Sequence, residues 1–478
     1  MRWNKYVLFP ILILLTVVKG EIKNTYKGYV DFYYISRLSD QSIINLPYRI
    51  FNLNLDHSNG NLLLRSSIAV EHKLRSDTYF LTNNSPSDFE LDMRELYLQM
   101  FTSWGEIRIG KIIHSWGNVD ENSPIDIVSP FDYYYTFETG IDKKLGVFSS
   151  AVDIYMDNMK TGFIFSPIHN THRTPQNDDD FPIKLPVSPS EDQIMEIGAL
   201  PFEMGTYITR SFSFGDVSLN YFSGYDRLFN LSGVNGFGYG PDLSNPHIDV
   251  VYGYRKTNMT GIGGSLFFGD IELRADAALF NTKDENKSIE RVSPYLPNVY
   301  DSLHYTYPLN EKAKYFQTNL QIEANLPFDI KFIGQFFNYD TLDYSSDSLP
   351  LDEDVSIPNL EINVDELDPK NIFTPGYGSP LAVLTKKAII MSLEKSFFDE
   401  QLAITASSIF DIDNTDYNGP SPGSIISLEA SYAIANDLEL TIGYTNIKGD
   451  KKHPQGEDYR LHIMEDFSHI RADIKYSF

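Results

Sequence analysis

The last segment of the sequence, residues 468–478, alternates strictly between two kinds of residue. One face of an extended chain would carry His469, Arg471, Asp473 and Lys475, and the other would carry Ile470, Ala472, Ile474, Tyr476 and Phe478. Four successive ionisable side chains are costly inside a soluble core, because each one needs a partner there. The pattern favours a transmembrane β-barrel strand, which turns its apolar face to lipid and its polar face to a wet lumen.

The same alternation recurs in other segments. In residues 270–280 the polar positions are Glu272, Arg274 and Asp276, and apolar residues lie between them. The alternative, a soluble β-sandwich, would need charged inner faces on several strands, so the barrel is the preferred interpretation. The predicted lumen-facing wall residues are Arg65, Glu71, Glu106, Glu272, Arg274, Asp276, His469, Arg471, Asp473 and Lys475.

Short turns alternate with long polar connections along the chain. The long connections are residues 115–145, 167–203, 224–246, 282–311 and 342–380. Outer-membrane barrels have short periplasmic turns and long extracellular loops, and such barrels cannot leave strand edges open to lipid. Counting by this alternation predicts an all-β, antiparallel transmembrane barrel of about 18 strands, with about 16 as the alternative.

Two segments break the alternation. The apolar phase changes from Leu91 and Met93 to Leu96 and Leu98, which predicts a β-bulge near Arg94 and Glu95. In the next segment, Lys111 falls on the lipid face unless Gly110 bulges or the position lies above the membrane.

Both ends of the sequence and its charge suggest an exported protein. Arg2 and Lys5 precede a short apolar run that is followed by Lys19 and Gly20, so residues 1–20 are predicted to be a cleaved signal peptide and 21–478 a single barrel domain. The sequence contains no cysteine, which excludes disulfides and thiolate metal sites. The net charge is −26, and losing three positive charges with residues 1–20 gives −29, which argues against nucleic-acid partners.

The first strand follows residue 20 too closely for an N-terminal plug domain, so any obstruction of the lumen is expected to come from inward-folding loops. The connection at residues 114–146 is the predicted obstruction. Arg108 and the loop carboxylates are expected to face each other across the pore and to orient polar solutes. The structural alternative is that Trp116, Asp126 and Pro130 only hold the loop to the wall. Residues 131–137, FDYYYTF, could stack on sugar rings, but the outer aromatic girdle is the preferred interpretation. The constriction candidates are Arg108, Lys111, Trp116, Asp120, Glu121, Asp126, Tyr133 and Tyr134.

The same region resembles a family of porin-like bacterial outer-membrane proteins that is catalogued as a domain of unknown function. The matching positions are Arg94, Glu95, Tyr97, Arg108, Gly110, Lys111, Trp116, Gly117, Asp126, Ser129 and Pro130. The sequence departs from the family at Ile112 and Ser129, where Gln and Asn are more usual. The resemblance implies an outer-membrane barrel with a transport role. The last strand also resembles those of bacterial outer-membrane proteins, which makes Tyr476 and Phe478 the expected signal for the barrel-assembly machinery.

These features predict an outer-membrane channel for passive or selective passage of small polar solutes. A modest preference for cations is expected, set by acidic stretches such as residues 340–368. A transporter of hydrophobic molecules or lipids is the alternative, and an outer-membrane enzyme is disfavoured because no nucleophile and base can be placed together. We expect no cofactor and no metal site, although the acidic loops leave weak Ca²⁺ binding open. Expected partners are outer-membrane lipids, the assembly machinery and a small solute, and a homo-oligomer stays open. Residues 233–240, rich in glycine, are interpreted as a mobile external loop.

Overall fold

The computed structural model describes residues 22–73, 88–138, 142–175, 181, 189–195, 197, 201–239, 247–284, 289–292, 302–347, 373–413, 421–453 and 459–478. No helix within these ranges is long and apolar enough to cross a membrane. The strands, in chain order, are β1 Ile22–Arg37, β2 Pro47–Asn59, β3 Leu62–Lys73, β4 Phe89–Phe101, β5 Gly105–Ile112, β6 Val147–Met156, β7 Met159–Ser166, β8 Glu203–Phe212, β9 Gly215–Tyr225, β10 Asn230–Tyr239, β11 His247–Gly253, β12 Lys256–Phe268, β13 Ile271–Lys283, β14 Ser302–Pro308, β15 Lys312–Leu326, β16 Ile330–Ser345, β17 Lys387–Phe397, β18 Leu402–Asp411, β19 Gly423–Ala435, β20 Leu438–Gly449 and β21 His469–Ser477.

Eighteen of these strands form one closed antiparallel sheet. Each strand pairs with the next along the chain, except that β9 pairs with β12 and β13 pairs with β15. The first and last strands close the ring, with Tyr29 opposite Ser477 and Arg37 opposite His469. The predicted fold class and the count of 18 barrel strands are therefore confirmed.

The remaining strands, β10, β11 and β14, form a separate three-stranded sheet. The first of them contains the glycine-rich residues 233–239, in register with β14 from Gly233 opposite Pro308 to Tyr239 opposite Ser302. The prediction of a mobile external loop at this position was wrong. Glycines in a paired strand give no local signal that separates them from a loop, so the pairing with β14 could not be foreseen.

The alternation of faces follows the prediction. On β21 the side chains of Ile470 and Ile474 are 47% and 43% exposed, whereas Arg471 between them is 8% exposed. The apolar side chains form the outer surface of the barrel, and the charged ones contact loops inside it. The bulge on β4 is also confirmed, because Ser67 pairs with Glu95 and Ile68 pairs with Met93, which leaves Arg94 as the extra residue.

Much of the buried apolar core lies inside the barrel, where long connections fold inward. Loop residues at widely separated positions pack in one cluster with side chains of the wall. Its loop members include Ile125, Val128, Tyr133, Phe181, Leu228, Tyr377, Leu381, Tyr459, Leu461 and Phe467. The lumen is thus narrowed by folded segments of this chain.

Candidate functional site

Residues 113–138 and 142–146, which we call the crossing loop, leave β5 and enter the barrel. The first half contacts β13, β15 and β16, which lie six, seven and eight strands around the 18-stranded ring from β5. The second half returns to the other side, where Tyr135 donates to Glu71 on β3 and Glu138 accepts from Tyr33 on β1. Since β3 and β15 lie nine strands apart, which is half of the 18-stranded ring, the loop spans the lumen.

Asp276 on β13 is the main anchor for the tip of the crossing loop. Its carboxylate accepts four hydrogen bonds from the loop, from the backbone N–H and side-chain amide of Asn118, the backbone N–H of Val119 and the hydroxyl of Ser123, at 2.7 to 3.0 Å. Hydrogen bonds to a charged group are among the stronger ones in proteins. The tip is therefore fixed in position on the wall.

Amide side chains on β15 and β16 hold the next residues of the loop. Gln321 both accepts from the backbone N–H of Asp120, at 2.9 Å, and donates to its carboxylate, at 2.7 Å. Gln335 donates to the carbonyl of Asp120 at 2.9 Å, and Arg274 forms an ion pair with the Asp120 carboxylate at 2.9 Å. The backbone of Asp120 is satisfied by the wall, and its carboxylate bridges two strands.

Two lumen-facing glycines on β12 make space for this docking. A Cβ atom at Gly263 would lie 2.1 Å from Oδ1 of Asp276 and 2.3 Å from the side-chain nitrogen of Asn118. A Cβ atom at Gly261 would lie 2.3 Å from Cγ2 of Ile125. Any larger side chain at either position would displace the loop from the wall.

The start of the crossing loop is fixed by Asp126 and Trp116. Asp126 accepts from the backbone N–H of Trp116 at 3.0 Å and from the Ser115 hydroxyl, and it pairs with Lys144. The indole of Trp116 packs against Tyr207 and Phe222, with ring centroids 5.5 and 6.3 Å apart. These contacts match the structural role that the sequence offered for both residues.

The aromatic run 131–137 lies inside the barrel, so its interpretation as an outer girdle was wrong. Tyr133 and Tyr135 are 3% and 1% exposed. The guanidinium of Arg173 lies over the ring of Tyr134, with Cζ 4.9 Å from the ring centroid, and the Tyr134 ring also contacts Phe181. Composition alone cannot separate these sites, because tyrosine suits both a membrane interface and a buried position with a hydrogen-bond partner.

Two histidines that pack in or against the crossing loop are neutral. His114 contacts the hydroxyl of Ser149 at 2.9 Å, and burial lowers its pKa to about 3. His172 accepts a hydrogen bond from the backbone N–H of Phe131 at 2.7 Å, and burial lowers its pKa to about 3 as well. A neutral ring that accepts at Nδ1 carries its proton on Nε2.

The predicted wall residues lie on the lumen side, and several of them hold the loops. Glu71, Arg274, Asp276 and Arg471 bond to residues Tyr135, Asp120, Asn118 and Glu138 of the crossing loop. The other predicted residues contact the wall or neighbouring segments. Three of them form ion pairs, namely Arg65 with Asp56, Glu272 with Arg274 and Asp473 with Arg471. Glu106 accepts a hydrogen bond from Gln99, His469 bonds to the carbonyl of Phe467, and the ammonium of Lys475 lies over the ring of Tyr29.

The expected opposition of Arg108 and the loop carboxylates across the pore is replaced by local ion pairs. Arg108 pairs with Asp153 on the adjacent strand at 2.8 Å. The carboxylates of Asp120, Glu121 and Asp126 pair with Arg274, Lys143 and Lys144. Each charge is thus neutralised by a near neighbour, because long side chains on a densely charged wall find local partners.

Lys111 reaches Asp92 with its ammonium group, at 3.4 Å. The ladder between β4 and β5 continues without a register shift, with Leu96 opposite Lys111 and Tyr97 opposite Gly110, so Gly110 does not bulge. Lys111 lies one residue before the end of β5, at the end of the barrel that carries the long loops.

Sequence reasoning missed the amides Gln317, Asn319, Gln321 and Gln335 and the inward segment 373–385. The first three alternate with Thr318, Leu320 and Ile322 along β15, so their lumen position could have been read from the sequence. Segment 373–385 is different, because Tyr377 contacts Phe222 and Gln317 through packing between distant parts of the chain.

Within the described ranges, no group of three or more His, Asp or Glu side chains is arranged to hold a metal ion. Two acidic stretches in which weak Ca²⁺ binding stays open lie outside the described residues. They are residues 177–180 and 348–368.

Comparisons with solved structures place the chain near bacterial outer-membrane proteins of very low sequence identity. The outer membrane protein OpdK from Pseudomonas aeruginosa is 9% identical, with 95% of this chain and 99% of that chain covered and a TM-score of 0.49. Acinetobacter baumannii OccAB4 is 9% identical, with 95% and 98% covered and a TM-score of 0.48. OmpT, an outer membrane protein of Vibrio cholerae, is 9% identical, with 97% and 100% covered and a TM-score of 0.40.

No protein-family model matches the sequence, and no curated protein matches it either. The resemblance to the porin-like family of unknown function therefore stays a prediction. The closed 18-stranded barrel is shown by the strand pairing of this chain, and none of the similar structures assigns a function to it.

Proposed function

We propose that this protein is an outer-membrane channel through which small polar solutes pass without a catalysed reaction. The observation that carries the proposal is the crossing loop, which spans a closed barrel with an apolar outer surface and a charged inner wall. A polar lumen narrowed by an anchored loop suits selective diffusion, because the loop limits the size of the solute and the wall side chains replace part of its hydration shell.

The outer surface supports a membrane location. Large apolar side chains that alternate with the lumen residues are exposed along many strands, for example Leu219, Ile262 and Leu320 at 56%, 52% and 54%. Exposed aromatic residues near the short turns, such as Trp104, Phe214 and Phe268, form a rim that suits a membrane–water interface. Residues 1–20 act in this proposal as the export signal.

The direct experiment is planar-bilayer recording of the purified barrel in KCl, together with membrane fractionation. We expect discrete conductance steps, recovery in the outer-membrane fraction and a mobility shift between heated and unheated samples. A correctly folded barrel that gives no conductance and admits no small solute into liposomes would contradict the channel function.

A further inference from the structure

A cavity of about 430 Å³ lies between the crossing loop, Arg274 of the wall and the inward segment 373–385. Its lining combines charged side chains with the hydroxyls of Ser115, Ser123 and Ser129 and the rings of Phe131, His172 and Tyr377. The volume suits a solute of a few heavy atoms with some of its hydration water. It is therefore a place where a passing solute would contact the loop directly.

Among the described residues, each charged side chain that lines the cavity is matched by an opposite charge. The pairs are Asp120 with Arg274 at 2.9 Å, Glu121 with Lys143 at 2.9 Å, Asp126 with Lys144, and Asp142 with Arg94 at 3.1 Å. Most of these groups also hold the loop in place. A solute with a single charge would have to break a pair and leave one partner unmatched, which is strongly unfavourable in a partly dry site.

The pair of Glu121 and Lys143 differs from the other three. The Glu121 side chain is 62% exposed, and among the described residues only Lys143 bonds to its carboxylate, whereas the Lys143 side chain is 9% exposed. Glu121 also adopts a φ of 61°, in the left-handed region that costs energy for a residue with a Cβ atom. This pair is the one that a solute can open without releasing the loop.

We propose that the cavity is a transit site for small zwitterions, in which the solute carboxylate replaces Glu121 on Lys143 while the solute ammonium binds the released Glu121 carboxylate. This inference rests on the proposed channel function and names the solute class for it. The exchange keeps all charges matched, which neither an anion nor a cation alone achieves. The hydroxyl of Ser129, which accepts from the backbone N–H of His114, and the Nε2–H of His172 supply further neutral hydrogen bonds.

The test measures uptake of four labelled solutes of similar size into proteoliposomes at pH 7 with the membrane potential held at zero. The solutes are β-alanine (a zwitterion), propionamide (neutral), propionate and propylammonium. We expect β-alanine to enter severalfold faster than each of the others and its uptake to saturate. Conductance in KCl without any preference for β-alanine would overturn this inference alone, whereas no conductance and no uptake would overturn the channel function as well.

Two variants add a directional test. Glu121→Gln leaves Lys143 unmatched, so propionate uptake should rise and β-alanine uptake should fall. Lys143→Gln leaves Glu121 unmatched, so propylammonium uptake should rise instead. The matched control is Asp56→Asn, which removes one carboxylate from a wall pair with Arg65, at 2.7 Å, outside the cavity. If the first two variants shift the solute order in the same direction, or no more than the control does, the assignment is wrong.

Discussion

Asp276 concentrates the docking of the crossing loop in one carboxylate that accepts four hydrogen bonds. We predict that Asp276→Ala loosens the loop tip, at a cost of about 2–4 kcal/mol in docking free energy, because several bonds to a charged group are lost together. The expected result is more frequent current fluctuations and a higher mean conductance in single-channel recordings.

The control for this variant is Asp153→Ala. Asp153 is also buried and bonds to Arg108 and Tyr207, but both partners belong to the wall. Gly263→Val should reproduce the effect of Asp276→Ala by a different cause, since its side chain would occupy the space of the Asp276 carboxylate. If Asp276→Ala behaves like Asp153→Ala, the loop tip is held by other contacts.

His114 and His172 make the docking of the loop dependent on pH. Displacing the loop would return both pKa values from about 3 towards the ordinary 6.5. Between pH 6.5 and pH 3 the displaced histidines are protonated, whereas the docked ones stay neutral. The free energy of docking therefore becomes less favourable as the pH falls through this range, by about 1.4 kcal/mol per pH unit for each histidine.

We predict that current fluctuations increase between pH 7 and pH 5 and that replacing both histidines by asparagine flattens this dependence. Charged or titratable neighbours also face these rings, with Arg108, Asp153 and Lys144 near His114, and Arg227 and the titratable His169 near His172. The control is the single variant His169→Asn, since this histidine bonds to Glu203 on β8, a strand of the wall. A double variant with unchanged pH dependence would assign the effect to other groups.

Among the structural elements, the strands and their two faces could be predicted from the sequence, whereas the contacts that hold the crossing loop could not. Alternation along β13 places Glu272, Arg274 and Asp276 on one face, and this rule acts between neighbours in the sequence. The partners of Asp276 come from residues 118–123, more than 150 positions away along the chain. Nothing local in Asn118 or Ser123 encodes such a contact, so the lumen position of Asp276 could be predicted but its role as an anchor could not.

The seam between β1 and β21 depends on the pairing of Gly28 with Phe478. Their backbones exchange two hydrogen bonds of 2.9 Å, and a Cβ atom at Gly28 would lie 2.9 Å from the Phe478 ring. We predict that Phe478→Ala lowers the yield of heat-modifiable barrel in the outer-membrane fraction severalfold, because the aromatic cover of Gly28 is lost at the closing strand.

Phe214→Ala is the control for the seam, since Phe214 is a 55% exposed aromatic residue on a short turn between β8 and β9. It shares the rim position with Phe478 but does not contribute to closure. Equal yields for the two variants would mean that the seam does not depend on the Phe478 ring.

At the scale of the whole molecule, the acid excess sets the expected ion preference. The net charge of the chain from residue 21 is −29, because the three positive charges of residues 1–20 are removed from the −26 of the whole sequence. The wall itself carries charges of both signs. We predict a modest cation preference that weakens with salt, as the Debye length shortens to about 8 Å at physiological ionic strength. Neutralising Asp352, Glu353 and Asp354, which lie outside the described residues, should weaken it too.

Reversal potentials in a KCl gradient measure this preference. A chloride preference would contradict the account. So would a cation preference that survives both high salt and the loss of these three carboxylates, because charge on the wall would then control selectivity.

We infer that the crossing loop sets the width of the pore. The most direct test is the single-channel conductance in KCl of the wild-type barrel and of a variant in which residues 120–132 are replaced by a short Gly-Ser linker. The deletion removes the contacts of Asp120 with β13, β15 and β16, and leaves the 18 barrel strands intact. We expect a clear increase in conductance for a folded, heat-modifiable variant, and unchanged conductance would place the narrowest point of the pore elsewhere.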